Sequence, residues 1–240
     1  MIQSTKGIVL RSVKYGDTSL ILTVYTERYG IQHYMVQGVR SDKKGGAKAN
    51  VLQPTSLLDM VVYHQPGKNL QRIKEFKPAY IYQGIQQEPL KNSVALFMVE
   101  LAYRLITEEE AHPELFEFLY SNFMQLDAHA SLAAANTPLV FSLRLCQQMG
   151  FGIDVSNFEE GHIFDIENGN FIPYAGTDHM RVSSAQDALE LHTLLQEGLQ
   201  FKTSGERRFH LLQLVLRFVQ WHHPDMQALR SVDVLHAIWR

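Results

Sequence analysis

The chain has 240 residues, 45% of them hydrophobic and 20% charged, a composition that buries real cores and excludes disorder. No run of 18 apolar residues is present to span a bilayer, and the single cysteine, Cys146, excludes an internal disulfide or a thiolate-cluster zinc site. The formal net charge of −3 hides an asymmetry: residues 1–80 hold 12 basic and five acidic residues, a net +7, and the remainder holds 10 and 20, a net −10. Opposite signs in two parts of one chain point to two units with different partners, one of them polyanionic.

The N-terminal stretch MIQSTKGIVLRSVKYG places charges and a glycine where a signal peptide needs an apolar segment, so a cytoplasmic location is expected. Residues 7–13, 18–26 and 31–39 then read as strands rich in Val, Ile, Thr and Tyr, broken at Lys14-Tyr15-Gly16-Asp17 and at Glu27-Arg28-Tyr29-Gly30. Leu20, Leu22 and Val24 alternate with Ile21, Thr23 and Tyr25, the pattern of a strand with one face in a core. Residues 41–50, SDKKGGAKAN, read as a basic loop. Two further strands, 55–63 and 70–78, flank the Pro-Gly turn of residues 65–68. Five strands in so short a stretch fit a small barrel.

After Pro78 the period becomes helical. Leu90, Val94, Phe97, Leu101 and Leu105 lie on one face of 89–106, and Leu115, Leu119, Phe123 and Leu126 repeat the spacing over 114–126. Thr137-Pro138 reads as an N-cap followed by Pro at the first helical position, with Gly150 as the stop. Ser183-Ser184-Ala185-Gln186 resembles a capping box opening a helix that ends near Gly198. An apolar helix covers 206–222, and Ser231 starts a last short one. Between helices, two alternating runs surround Asn168-Gly169, a hairpin signal. The expected class is α+β and multi-domain: a basic barrel over 1–80, then an acidic helical domain over 81–240, with a hairpin inserted at about 153–175.

Searches for enzymatic motifs fail. No Walker A, dinucleotide fingerprint, HExxH or nucleophile elbow is present. Cys146 falls in an apolar helix as a buried inert thiol. The 11 histidines lack metal-ligand spacing, and Glu108-Glu109-Glu110 reads as a solvated helix end. The barrel is more informative. Its basic residues, with Tyr15, Tyr25, Tyr29, Tyr34 and Tyr63 interleaved, suit phosphate neutralisation and stacking on bases. The candidate DNA contacts are Arg11, Lys14, Arg28, Arg40, Lys43, Lys44, Lys48, Arg72, Lys74 and Lys77.

Lys6-Gly7-Ile-Val-Leu-Arg11, Tyr15-Gly16-Asp17, Leu20-Ile-Leu22-Thr23, Tyr29-Gly30 and Gly38-Val39-Arg40 resemble the start of the bacterial recombination mediator family RecO. Arg207-Arg208-Phe-His-Leu-Leu212 through Trp221-His222-His223-Pro224 to Leu235 is similar to that family's last helices. The resemblance implies an OB-fold followed by a helical domain, with no catalytic activity. It implies binding of single- and double-stranded DNA and annealing of complementary strands. It further implies partnership with RecR and the single-strand-binding protein SSB, helping to load RecA on SSB-coated DNA, and a nucleoid-associated location. Many members carry two C-x-x-C pairs that bind zinc. The corresponding stretch, roughly 151–173, has no cysteine, so no zinc is expected, and the hairpin is expected to hold by packing of Ile163, Ile166, Phe171 and Ile172.

The family's partner SSB has an acidic tail ending in apolar residues. Within the negative domain, Lys202, Arg207, Arg208 and Arg217 form a positive island beside Phe209 and Leu212, the expected tail-binding residues. The competing expectation is that these arginines pair with acidic neighbours. Two other function classes fit the same outline: an OB-fold RNA-binding or ribosome-associated adaptor, and a hydrolase or transferase with a site between barrel and helices.

Overall fold

The computed structural model describes residues 1–39, 49–107, 109–174 and 181–239. Arg40, Lys43, Lys44, Lys48 and Glu108 lie outside the described residues. The chain divides into two compact units, one of Met1–Gln87 with Ala102–Asp127, the other of Glu88–Leu101 with Ala128–Arg240.

In the first unit the runs rich in Val, Ile, Thr and Tyr form β1 (Ile2–Tyr15), β2 (Ser19–Thr26), β3 (Gly30–Val36), β4 (Leu57–Tyr63) and β5 (Gln71–Pro78). They close a barrel in the order β1-β2-β3-β5-β4. β1 pairs with β2 over its second half and β4 over its first, and its register with β2 shifts between Val9 and Arg11. Such a bulge bends a strand so that it can serve both neighbours. Alternation sends Val9, Leu22, Val24, Tyr34, Val36, Leu58, Met60 and Val62 into the barrel core. Gly7 faces the same core, where a Cβ would lie 2.5 Å from Met60 Cε and 2.6 Å from Val24 Cγ1. The buried Gln71 side chain closes the β4–β5 turn, donating to the carbonyls of Gln65 and Lys68 and accepting from the Gln65 N–H.

The first unit reaches beyond the barrel. Asp127, at the end of α3 (Pro113–Ala128), accepts from the Gln83 and Ile85 N–H groups and the Tyr80 hydroxyl, anchoring the short helix α1 (Gly84–Gln87). Burial opposes ionisation of Asp127, but these donors win and hold it below the usual carboxylate range. α3 packs Phe116 against Tyr25 with ring centroids 6.1 Å apart. Residues 102–127 carry one basic and six acidic residues, so the unit's net charge by sequence falls from +7 to +2.

α2 (Pro89–Leu105) contributes its residues through Leu101 to the second unit, which also holds α4 (Ser131–Gln148), α5 (Ala185–Glu197), α6 (Gly205–His222) and α7 (Ser231–Trp239). Thr137-Pro138 does not open α4, contrary to expectation. The helix starts at Ser131 and runs through Pro138, although Pro has no N–H for the Ala134 carbonyl. Burial of Ala134, Asn136, Thr137 and Leu139 outweighs that loss, and Thr137 Oγ1 donates to the Ala133 carbonyl. The helix ends as expected: Gly150 has φ +86°, its N–H donates to Gln147 and that of Phe151 to Cys146, a Schellman closure. Ser184 and Ser204 cap α5 and α6 by accepting from the N–H groups of Asp187 and Arg207. Glu100 of α2 accepts from the Arg230 and Ser231 N–H groups at the start of α7.

Asn136 is fully buried and ties three segments. Its amide donates to the carbonyls of Leu199 and Phe201, and its Oδ1 accepts from Arg208 Nε at 2.9 Å. The hairpin pairs β6 (Ile163–Asp165) with β7 (Asn170–Ile172). Its four-residue loop is held by the Asp165 carboxylate, which accepts from the N–H groups of Glu167 and Asn168 and the Asn168 amide. Ile163 faces Ile172 and Phe164 faces Phe171 across the strands, with Ile163, Phe164, Ile166 and Phe171 buried.

Two substitutions test this packing by urea unfolding. Gly7→Val is expected to lower stability by about 1–3 kcal/mol through overpacking of the barrel core. Asn136→Leu is expected to cost about 3 kcal/mol or more, because it strands the buried Arg208 cation and two carbonyls; an unchanged midpoint would remove Asn136 from that role.

Candidate nucleic-acid interface

Strand register decides which basic residues act together. Val13 pairs with Ile21, Ile21 with Met35, Met35 with Arg72 and Arg72 with Tyr63, which makes one outward row across all five strands. Val13 and Tyr63 are each 42% exposed, and Ile21 and Met35 are half-buried. The adjoining row holds Arg11, Thr23 and His33, with Thr23 Oγ1 3.2 Å from His33 Nδ1. Lys74 is the extra residue of a bulge in β5, opposite Val61–Val62, and lies 3.2 Å from Glu75. Lys14 and Tyr15 are exposed at the end of β1. Arg11 donates to the Tyr103 hydroxyl at 3.1 Å, which orients its guanidinium.

Because the barrel is closed, this row runs around it, with Arg11 and Lys14 on β1 and Arg72 and Lys74 on β5 beside its exposed and half-buried apolar and aromatic groups. Arg28 and Lys77 do not join them. They line a groove of about 470 Å³ on the β1–β4–β5 side, together with Lys6, Glu27, Asp59 and Glu75. There Lys77 pairs with Asp59 at 3.7 Å, and Arg28 donates to Gln3 Oε1 at 3.4 Å. Lys6 sits 5.1 Å from the Tyr120 ring. The other four predicted cations, Arg40, Lys43, Lys44 and Lys48, fall outside the described residues.

The tyrosines divide as sharply. Tyr25 and Tyr34 are buried and cannot stack on a base, and burial pushes the Tyr34 hydroxyl far up. Tyr29 is taken by His64, with rings 3.8 Å apart and 10° from parallel. Tyr15 and Tyr63 remain open. Charge-based reading missed Val13, Ile21, Met35 and His33, although the period-2 alternation that buries Leu20 and Leu22 also implies that Ile21 points out.

The second unit breaks up the expected positive island. Arg207 Nη2 lies 2.7 Å from Asp187 Oδ1 and its Nε donates to Glu190 at 3.1 Å, the acidic pairing that competed with tail binding. Arg208 is only 7% exposed, and burial lowers its pKa. Leu212 is fully buried, and Phe209 stacks on His236 at 3.8 Å. These residues hold helices together. Lys202 stays exposed, and Arg217 lines a groove of about 880 Å³ with Ile163, Val182, His210 and Leu214. His210 Nε2 reaches Asp187 Oδ1 at 3.0 Å. Burial opposes ionisation of Asp187, but Arg207, His210 and Ser184 hold its carboxyl below the usual range.

Among the described residues, no three His, Cys, Asp or Glu side chains gather to hold a metal. Cys146 is buried and its thiol is pushed up to about 12 by desolvation. No described helix is long and apolar enough to cross a membrane.

Comparison with known proteins agrees with this architecture. Residues 1–82 match the family model for the N-terminal part of recombination protein O, and residues 86–230 match that for its C-terminal part. The DNA repair protein RecO of Bacteroides fragilis is 32% identical over 243 residues, with all of both chains covered. The RecO proteins of Phocaeicola vulgatus and Christiangramia forsetii are 30% and 29% identical, again over the full length of each chain. On both family models and full-length identity, the chain belongs to the RecO family of DNA repair proteins.

Proposed function

We propose that this RecO-family protein binds single- and double-stranded DNA along the outward barrel row beside which Arg11, Lys14, Arg72 and Lys74 stand, and anneals complementary strands. The observation that carries this reading is the cross-strand row Val13, Ile21, Met35, Arg72 and Tyr63, which sets apolar and aromatic groups beside cations. Cations spaced along such a row neutralise phosphates and lower the repulsion between two strands. Base pairing then supplies the driving free energy, so annealing needs no nucleotide, metal or other cofactor. The apolar row and Tyr63 meet base or sugar faces with little sequence preference. Arg40, Lys43, Lys44 and Lys48 add to the same polyanion-binding role by charge alone.

With RecR, the protein then helps to load RecA on SSB-coated DNA, in the cytoplasm and in association with the nucleoid. The acidic SSB tail binds the helical unit. Of Lys202, Arg207, Arg208, Phe209, Leu212 and Arg217, Arg217 is best placed for it, since it lines a roomy groove with the apolar Ile163, Val182 and Leu214. Lys202 guides the tail by its charge. Arg207, Arg208, Phe209 and Leu212 act indirectly, by holding α6 in place.

The decisive experiment is strand annealing on SSB-coated DNA with and without RecR. Single-stranded DNA affinity is expected to fall steeply with salt, and Arg72→Ala with Lys74→Ala should reduce the log–log salt slope by about two. An affinity that is flat in salt would sink the electrostatic account. Arg217→Glu is expected to weaken binding of an SSB-tail peptide roughly tenfold, or about 1.4 kcal/mol; undiminished binding moves the tail to another site.

A further inference from the structure

Residues 151–174 wall two cavities of the helical unit. Gly161, Ile163 and Tyr174 line the groove of about 880 Å³, and Gly152, Ile153 and Asp154 line another of about 410 Å³. The module's own ladder is short, three residues on each strand. Its seating depends on aromatic contacts, and two of these are made by histidines of the helices beneath.

His192 of α5 lies face to face with Phe158, centroids 3.8 Å apart and 10° from parallel, with Phe171 edge-on at 6.0 Å. His222, the last residue of α6, stacks on Phe151 at 5.2 Å and meets Phe218 edge-on at 4.7 Å. His222 also bonds to the Ile166 backbone, while its Nε2 is buried without a hydrogen-bond partner among the described residues. A neutral imidazole suits both seats. An imidazolium there has to be desolvated, and the proton added at His222 Nε2 meets no acceptor.

Among the described residues no carboxylate lies within ion-pair distance of either ring. The polar neighbour of His192 is Gln196 on its own helix, 3.3 Å away, and that of His222 is His223, which also touches Phe151. Of the module's five acids, Asp154 accepts from the Ser156 N–H, Glu159 faces His162, Asp165 holds Asn168, Glu167 pairs with Arg181, and Glu160 is exposed.

We propose that the 151–174 module is a cover released by protons, undocked from α5 and α6 when His192 and His222 are protonated. Burial lowers both histidines from their ordinary value, and at His222 the neighbouring His223 adds to this against the Ile166 backbone bond. A histidine held neutral in the docked state gives full docking above its free pKa of about 6.5, and that contribution is lost as pH falls below it. Undocking takes the walls from both cavities at once, so a ligand seated there loses those contacts in acid. The device does not depend on which ligand that is.

Amide hydrogen exchange on the full chain at about pH 7.5 and about pH 5.5 tests the proposal. Protection factors at Phe164 and Ile166 are expected to fall about tenfold at the lower pH, while those of Leu211 and Val215 in α6 hold steady. In the His192→Phe, His222→Phe double variant the fall should vanish. Unchanged protection in the wild type, an equal fall in α6, or a fall retained in the double variant each overturns it. Should that variant not fold, NMR titration of the wild-type rings decides: midpoints below the free-imidazole value of about 6.5 are expected, and midpoints at or above it overturn the proposal.

Discussion

The long strand β1 must bond to β2 along one part and to β4 along another, and everything on the barrel surface depends on how it manages both. A strand of 14 residues cannot stay straight and close a five-stranded barrel. The shift between Val9 and Arg11 bends it and resets the side-chain alternation. After that shift Arg11 and Val13 face out, level with Thr23 and Ile21. A one-residue change of register would exchange the inner and outer sets, carrying Arg11 into the core and Val9 into water. Gly7 marks the tightest point of the same arrangement, since neither Met60 nor Val24 leaves room for a side chain.

Charge follows packing in both units. The basic excess of residues 1–80 is offset in the folded unit by the acids of residues 102–127, and around Tyr120 the carboxylates of Asp59, Glu117 and Glu27 raise its hydroxyl further after burial has done so. Cations on the β1–β4–β5 side sit among these acids. Arg11, Lys14 and Arg72 stand instead along the row of Val13, Ile21, Met35 and Tyr63, and Lys74 stands there too while lying 3.2 Å from Glu75. In the helical unit, Arg207 and Arg208 are neighbours in sequence with opposite fates. Arg207 reaches two carboxylates at the surface, whereas Arg208 is buried against Asn136, the Thr203 carbonyl and the Trp239 ring.

Much of the architecture was legible without coordinates. The five strands, the helix ending at Gly150, the cap at Ser184 and the hairpin near Asn168-Gly169 are all signalled within a few residues, because turns, caps and alternation are local chemistry. The start of α4 was not, for the Thr137-Pro138 signal is genuine, yet burial of Asn136 and its neighbours overrides it. The interface was half legible. Arg11, Lys14, Arg72 and Lys74 were picked out by type, but so were Arg28 and Lys77, which line a groove among Glu27, Asp59 and Glu75. Tyr25 and Tyr34 looked the same as Tyr15 and Tyr63 until burial separated them.

By itself the sequence determined the number and kind of secondary elements, the family and the sign of charge in each half, since these rest on residue type and short-range spacing. Tertiary structure alone decided which cations border the outward row, which tyrosines meet solvent, and that Arg208 and Leu212 are buried within the helical unit. Those outcomes depend on register between strands distant in the chain and on contacts such as Asn136 with Arg208, 72 residues apart. A pairing over that separation leaves no periodic trace in the sequence, because either residue alone would suit an exposed helix equally well.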